Sequence, residues 1–198
     1  MFIEFTEYLR CTAEHDPTWL VLAPEQLEQR HVHAGTLACP ACGRMFPIVN
    51  GVVRFGHAEP VPPRGPLPAA DVVQALIGLE SPGGYVMLVG SAGGLYEGLS
   101  ALMAGVHFVA VNPPGPVAGA SLTVLESPEG LPVRERTVRG VVLGAEVAHG
   151  PMLLESRRVV LNGQRVVALD EAVVAPAGLE EMARGQGMWV GKRIREGK

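Results

Sequence analysis

Five of the nine residues from Pro60 to Pro68 are proline. Proline fixes its own φ, removes an amide donor and pushes the preceding residue toward extended backbone, so this stretch suits neither a helix nor a central strand. A chain of 198 residues broken in this way near one third of its length is expected to fold as two units. The sequence predicts a small unit over residues 1–58, a proline-rich linker over 59–68 and a larger unit over 69–198. With 47% hydrophobic residues the chain has enough apolar surface for a real core.

Sixteen basic against twenty acidic residues give a net charge of −4, which argues against a strongly basic nucleic-acid-binding protein; nucleic acid is not indicated. The charge is uneven. Arg184, Lys192, Arg193, Arg195 and Lys198 against Glu196 make the last fifteen residues +4 and leave the remainder at −8. An anionic partner or a solvated terminus accounts equally for that tail. Three cysteines cannot build a closed disulfide framework. The opening MFIEFTEYLR lacks the basic-then-apolar pattern of a signal peptide, and every long apolar run is interrupted short of a membrane span. A cytoplasmic location with no membrane segment is expected.

In the first unit, APEQLEQRHV is expected to form a short helix, with Pro24 in its first turn. TLACPACGRMFPIVNGVVRF then predicts a strand, a cysteine-bearing turn and a hairpin closed by Asn50-Gly51. The second unit alternates. ADVVQALIGLE carries apolar residues at helical spacing, with Ser81 to Gly84 as its stop; YVMLVG and HFVAV are continuous apolar runs that suit buried parallel strands. SLTVLE, VRGVVLG and QRVVALDE add three strands, and GPMLLESRRVV a crossover helix closed by Asn162-Gly163. GMWVGKR is expected to add an antiparallel edge strand. The fold class is α/β with a mostly parallel sheet.

Cys39-Pro40-Ala41-Cys42-Gly43 sets two thiols on one turn, where backbone N–H groups bend toward the sulfurs. A structural zinc needs four ligands. Cys11 is the only other cysteine, and His15, four residues on, offers the fourth donor; Glu14 is nearer but supplies a hard oxygen beside soft thiolates. A metal would cross-link a unit too small to hold a large core. The plain alternative is reduced, unligated thiols, and a redox dithiol is disfavoured because Pro47 prevents the helix that such a motif opens. His31 and His33 have the alternation of a solvent-facing strand and are lesser candidates as metal ligands, His57 lies in the linker region, and His107 opens a buried strand as a hydrogen-bonded structural histidine.

Gly90-Ser91-Ala92-Gly93-Gly94 follows a buried strand and precedes a helix, the context of a cofactor loop, although it is neither G-x-G-x-x-G nor a Walker A sequence. A tight turn common to any α/β domain is the bland counterpart. Ser91, His149 and Asp170 form a hydrolytic trio only on paper. Glu146 and His149 fall at the carboxyl end of a strand, where a catalytic or a capping role is open to them.

Two resemblances rest on these motifs. Residues 8–55 resemble the small zinc-ribbon domain that activates certain tRNA and release-factor methyltransferases, through Cys39, Pro40, Cys42, Gly43, Phe46, Pro47, Ile48 and Gly51; Cys11 is kept in the first half, where Glu14 replaces the second cysteine and His15 follows. Residues 69–194 resemble a class I S-adenosylmethionine-dependent methyltransferase, through VMLVGSAGG, LPVRERTVRGVVLGAEVAH and LLESRRVVLNGQRVVALDE. The resemblance implies a shortened Rossmann-like methyltransferase sheet behind a zinc-ribbon-like domain, with structural zinc on Cys11, His15, Cys39 and Cys42. It implies cofactor contacts from Gly90, Ser91, Gly93, Gly94, Asn112 and Glu126.

The departures from that family pattern are chemical. Acids that hold the cofactor are replaced by Leu88, Asn112, Ser127 (beside Glu126) and Arg139, and the middle glycine by Ala92. The resemblance therefore implies either S-adenosylmethionine-dependent methyl transfer or a degenerate member that works as a protein-binding or scaffold subunit. The helix between the second and third strands is also missing. One sheet face is expected to lie uncovered, and a homo-oligomer or a protein partner to cover it.

Overall fold

The computed structural model describes residues 1–59 and 61–195. Pro60 of the predicted linker, and Glu196 and Lys198 of the cationic tail, lie outside the described residues. The chain opens with a short 3-10 helix (Ile3–Tyr8), followed by β1 (Val21–Glu28), β2 (His31–Ala38), β3 (Met45–Val49) and β4 (Val52–Arg54). After the proline-rich segment come α1 (Ala70–Ile77), β5 (Tyr85–Val89), a second 3-10 helix (Gly90–Leu95), α2 (Tyr96–Leu102), β6 (His107–Val111) and β7 (Leu122–Glu126). β8 (Val138–Leu143), α3 (Gly150–Val159), β9 (Val160–Ala168), β10 (Leu179–Gly185) and β11 (Met188–Arg193) complete the order.

All eleven strands join one mixed sheet in the order β1-β2-β3-β4-β7-β6-β5-β8-β9-β11-β10. The strands from β4 through β9 in that order run parallel, flanked by antiparallel β1–β3 on one side and β11–β10 on the other. Hydrogen bonding therefore crosses the proline-rich segment: β4 pairs in parallel with β7, Val53 beside Leu125 and Arg54 beside Glu126. The chain leaves β5 for β6 and β7 on one side, then returns to place β8 on the other. The gap between the carboxyl ends of β5 and β8 is thus the switch point where ligands of open α/β sheets bind.

Alternation along each strand divides the core. Val86 and Leu88 of β5, with Phe108 and Ala110 of β6, pack under Val73 and Ile77 of α1 and Leu99 of α2. Met87, Val89, Val109 and Val111 face the other way, onto Leu153 and Val159 of α3 and onto Met1, Phe5 and Leu9. No helix separates β6 from β7. The N-terminal segment takes that helix's place: Phe2 stacks on His107 with ring centroids 4.6 Å apart, and Phe5 and Tyr8 meet Tyr85 at 4.9 and 5.2 Å.

Several local expectations change. Residues 24–28, expected to be helical, are strand; Pro24 is tolerated because β1 is the sheet edge and its pairing with β2 slips between Pro24 and Gln26. α1 stops at Gly78, which takes the left-handed conformation (φ 64°) ahead of the expected stop at Ser81–Gly84. Asn162 and Gly163 lie within β9 and do not close α3. β11 is antiparallel but interior, because LEEMARG forms the edge strand β10 outside it. The Asn50-Gly51 hairpin turn is present, with φ of 52° and 78°, the left-handed pair of a two-residue turn.

Candidate metal centre and switch-point crevice

Cys39 directly follows β2 and Cys42 sits on the turn into β3. Cys39 N–H donates to Arg44 O at 2.8 Å and Gly43 N–H to Cys39 O at 2.9 Å, closing the loop around the sulfurs. The segment after the first 3-10 helix brings Cys11 and His15 onto that turn. The thiols of Cys11, Cys39 and Cys42 and the imidazole of His15 place their donor atoms within 4.8 Å of one another, a cluster able to hold a metal ion. Glu14 is exposed and outside it.

The donor set suits a tetrahedral ion. Zinc–sulfur bonds of about 2.3 Å set two sulfurs about 3.8 Å apart; Cys11 Sγ and Cys42 Sγ stand 3.7 Å apart, and Cys39 Sγ lies 3.3 Å from His15 Nε2. His15 Nδ1–H donates to Asp16 O at 2.7 Å, which leaves the Nε2 lone pair facing the cluster. Burial pushes the Cys11 thiol up to about 11. Burial also opposes ionisation of Cys39, but donation from the backbone of Cys42 and Ala41 and from the neighbouring thiols brings it down to about 7.

At the switch point the glycine-rich turn follows β5 directly. Gly90, Ser91, Ala92 and Gly93 are buried, Ser91 at 5% and Ala92 at 0% exposure, whereas Gly94 is exposed. Glu146, just beyond β8, accepts Ser91 N–H at 2.6 Å on one carboxylate oxygen and Ser91 Oγ–H at 2.8 Å on the other. A Cβ added at Gly90 or Gly144 would fall 2.3 or 2.4 Å from that carboxylate. Glu146 is therefore wedged between the ends of β5 and β8. Gly93 is backed by the Pro113 ring, and Gly94 by Leu67 of the proline-rich segment, at 2.9 and 2.8 Å from such a Cβ.

The remaining predicted contacts are also engaged. Asn112 has φ 48°; its amide donates to Ser127 O at 2.6 Å and accepts Ser127 N–H at 2.8 Å, clamping the ends of β6 and β7. Glu126 pairs with Arg54 at 3.2 Å. Leu88 is buried toward α1 and α2, so it does not reach the crevice. Arg139 lies at the amino-terminal end of β8, away from the crevice, where its guanidinium donates to the carbonyls of Ser81, Pro82 and Gly83 at 2.7–2.9 Å.

Among the described residues Ser91, His149 and Asp170 share no hydrogen bond; Ser91 is held by Glu146 and Asp170 accepts Ala172 N–H. Glu146 is the capping residue that its place after VVLGA allowed, whereas the Arg54–Glu126 pair had no sequence signal. His107 Nε2 lies 3.1 Å from Thr123 Oγ1, the structural role expected of it. His31 and His33 line an open cleft of about 930 Å³ with Phe2 and take no part in the metal cluster.

No family model matches the sequence, and no curated protein matches it. Solved structures do show similarity. A chain of the complex between the Haloferax volcanii Trm112 methyltransferase activator and a candidate methyltransferase is 12% identical, with a TM-score of 0.48 over 65% of this chain and 90% of that one. A SAM-dependent methyltransferase from Aquifex aeolicus is 16% identical, with a TM-score of 0.46 over 63% and 88%. A candidate methyltransferase from an antibiotic-biosynthesis pathway of Anabaena variabilis is 18% identical, with a TM-score of 0.41 over 54% of this chain; the chain spans only 47% of its length. The likeness is distant, and it is one of fold. Among the described residues no helix is long and apolar enough to cross a membrane.

Proposed function

We propose that this chain is a methyltransferase-like sheet braced by a structural zinc, and that it serves as a protein-binding or scaffold subunit. The observation that carries the second part is the filled crevice. The carboxylate of Glu146, the ring of Pro113 and the side chain of Leu67 take up the space around the glycine turn. Both donor groups of Ser91 are spent on Glu146, the Asn112 amide on Ser127, and the Glu126 carboxylate on Arg54. An S-adenosylmethionine molecule would have to displace these partners before gaining its own.

Zinc is favoured by the donors: three thiols and one imidazole at tetrahedral spacing suit a closed structural site. The partner-binding reading is supported by the outer face of the first three strands. Val21, Ala38 and Met45 form one row across β1, β2 and β3, Ala23, Thr36 and Pro47 the next, and Gln26, Ala34 and Val49 a third. None of the nine is charged, Gln26 and Thr36 are the polar members, and Val21, Met45 and Val49 are 59%, 70% and 39% exposed. A second copy of the chain or another protein is the counterpart such a face suits.

Methyl transfer is the alternative reading, favoured by the switch point and the turn at the end of β5. In it Gly90, Ser91, Gly93, Gly94, Asn112 and Glu126 would hold the cofactor. Isothermal titration of the purified chain with S-adenosylmethionine and S-adenosylhomocysteine separates the two. The expected result is no binding tighter than about 100 μM, roughly −5.5 kcal/mol. A low-micromolar dissociation constant for either ligand overturns the scaffold reading.

A further inference from the structure

The end of β8 opposite the crevice borders a second, differently charged cavity. It has a volume of about 390 Å³ and is lined by Glu80, Ser81, Arg139, Gln164, Arg165 and Lys192 along with residues at the end of α1. That size is at the small end of ligand pockets. Its three cations come from three neighbouring strands. Arg139 lies at the start of β8, Arg165 sits in β9 opposite Gly140, and Lys192 in β11 lies directly opposite Arg165.

Directly opposed like charges destabilise a strand pair. Lys192 has Glu180 of β10 on its far side, and Glu80 is the one carboxylate in the lining, so the cations still outnumber the acids around the cavity. Two of the three cations are held rigidly. Arg139 Nη1 donates to the Ser81, Pro82 and Gly83 carbonyls, and Arg165 Nη1 to Ala75 O and Leu76 O at the end of α1, at 3.5 and 3.1 Å. These contacts are to neutral carbonyls and leave the charges in place. Ser81 Oγ accepts Arg139 Nη2–H at 2.8 Å, so its own proton is available to another acceptor. Among the described residues the remaining N–H groups of Arg165 and the Lys192 ammonium make no hydrogen bond.

We infer that this cavity binds a phosphate dianion, free or as the monoester of a small molecule. The phosphate would meet Arg165 and Lys192 with the Ser81 hydroxyl and Gln164 amide as neutral donors, while Arg139 supplies field from its anchored position. A dianion relieves the like-charge pair that nothing else inside the lining neutralises. The site is separate from the glycine turn, so it stands whether or not the crevice takes a cofactor.

The test is an amide-resolved NMR titration of the full chain with inorganic phosphate, and in parallel with glycerol 3-phosphate, at ionic strength held constant with chloride. Saturable shifts are expected at residues 78–81, 163–165 and 192, with a dissociation constant on the order of 1 mM for at least one of the two probes. Lys192→Gln is the informative variant, because Lys192 anchors neither α1 nor the 81–83 loop; it should weaken binding roughly five- to tenfold with the spectrum otherwise preserved. No saturable shift with either probe overturns the assignment. So does unchanged affinity in Lys192→Gln, or shifts that chloride alone reproduces.

Discussion

His15 decides what the cysteine cluster can be. With it, three thiols and one imidazole close a tetrahedron; without it, Cys11, Cys39 and Cys42 leave a fourth position to water or to an outside ligand. The Cys39–Cys42 turn was legible because its spacing and Gly43 dictate local geometry. Cys11 followed by elimination, since no other cysteine exists to join them, whereas the sequence left the fourth place open between His15 and the harder oxygen of Glu14. The Asp16 carbonyl that orients the His15 ring was not legible, because a contact through Nδ1 leaves no mark in residue spacing. Protein purified without added metal should contain about one zinc per chain. His15→Ala should lower zinc affinity by more than the roughly 10- to 100-fold that loss of a supporting hydrogen bond costs. Elemental analysis showing less than about 0.2 zinc per chain, with folding unchanged in chelator, would exclude the structural-zinc reading.

Among the elements, α3 shows how a helix fixes a loop it does not precede. Glu155 and Arg158, one turn apart, form a part-buried ion pair at 2.7 Å. Glu155 accepts Leu131 N–H at 3.0 Å, and Arg158 donates to the carbonyls of Val133 and Leu131 at 2.6 and 2.8 Å. Fully buried Leu131 and Val133 are thereby pinned against the core. Burial alone would raise the Glu155 carboxyl; the Arg158 guanidinium, the Leu131 N–H and Arg10 more than offset it and hold the group below its ordinary value of 4.5. Between that lowered value and 4.5 the unfolded chain binds more protons than the folded one. The stabilisation is therefore complete above 4.5 and is lost as pH falls through the lowered value. Arg158→Ala should cost about 2–3 kcal/mol at neutral pH and flatten this acid dependence. Urea denaturation at pH 7 and pH 4 checks both, and a variant that keeps the parent's pH profile would show that the pair is idle. The strands and helices of the central sheet were legible because each is a continuous apolar run or a helical period. β1 and β10 were not: both are exposed edge strands whose pairing depends on distant partners.

The whole molecule reverses one expectation about where its unpaired apolar surface lies. Loss of the helix between β6 and β7 predicted a bare sheet face, yet Met1, Phe5 and Leu9 lie in the same core as Val109 and Val111 and cover it. No periodicity could reveal this, because the covering segment is about a hundred residues away in sequence. An exposed apolar face remains on the outside of β1, β2 and β3, and it continues to the edge strand β1. Three strands at about 4.8 Å spacing and some five residues at about 3.3 Å each give it roughly 200–250 Å². A stable interface buries about 800 Å² per partner, so this face is the centre of a weak contact or part of a larger one. Self-association should accordingly rise with concentration and not be obligate. Light scattering across a concentration range should show an average mass climbing above that of one chain. The double variant Val21→Lys, Met45→Lys should return it to the single-chain mass, because both side chains are exposed on the row shared with Ala38 and their replacement leaves the buried face intact. Circular dichroism would confirm that the variant stays folded. A parent chain of constant single-chain mass at every concentration would rule out self-association through the outer face of β1, β2 and β3 and leave that face to a different protein.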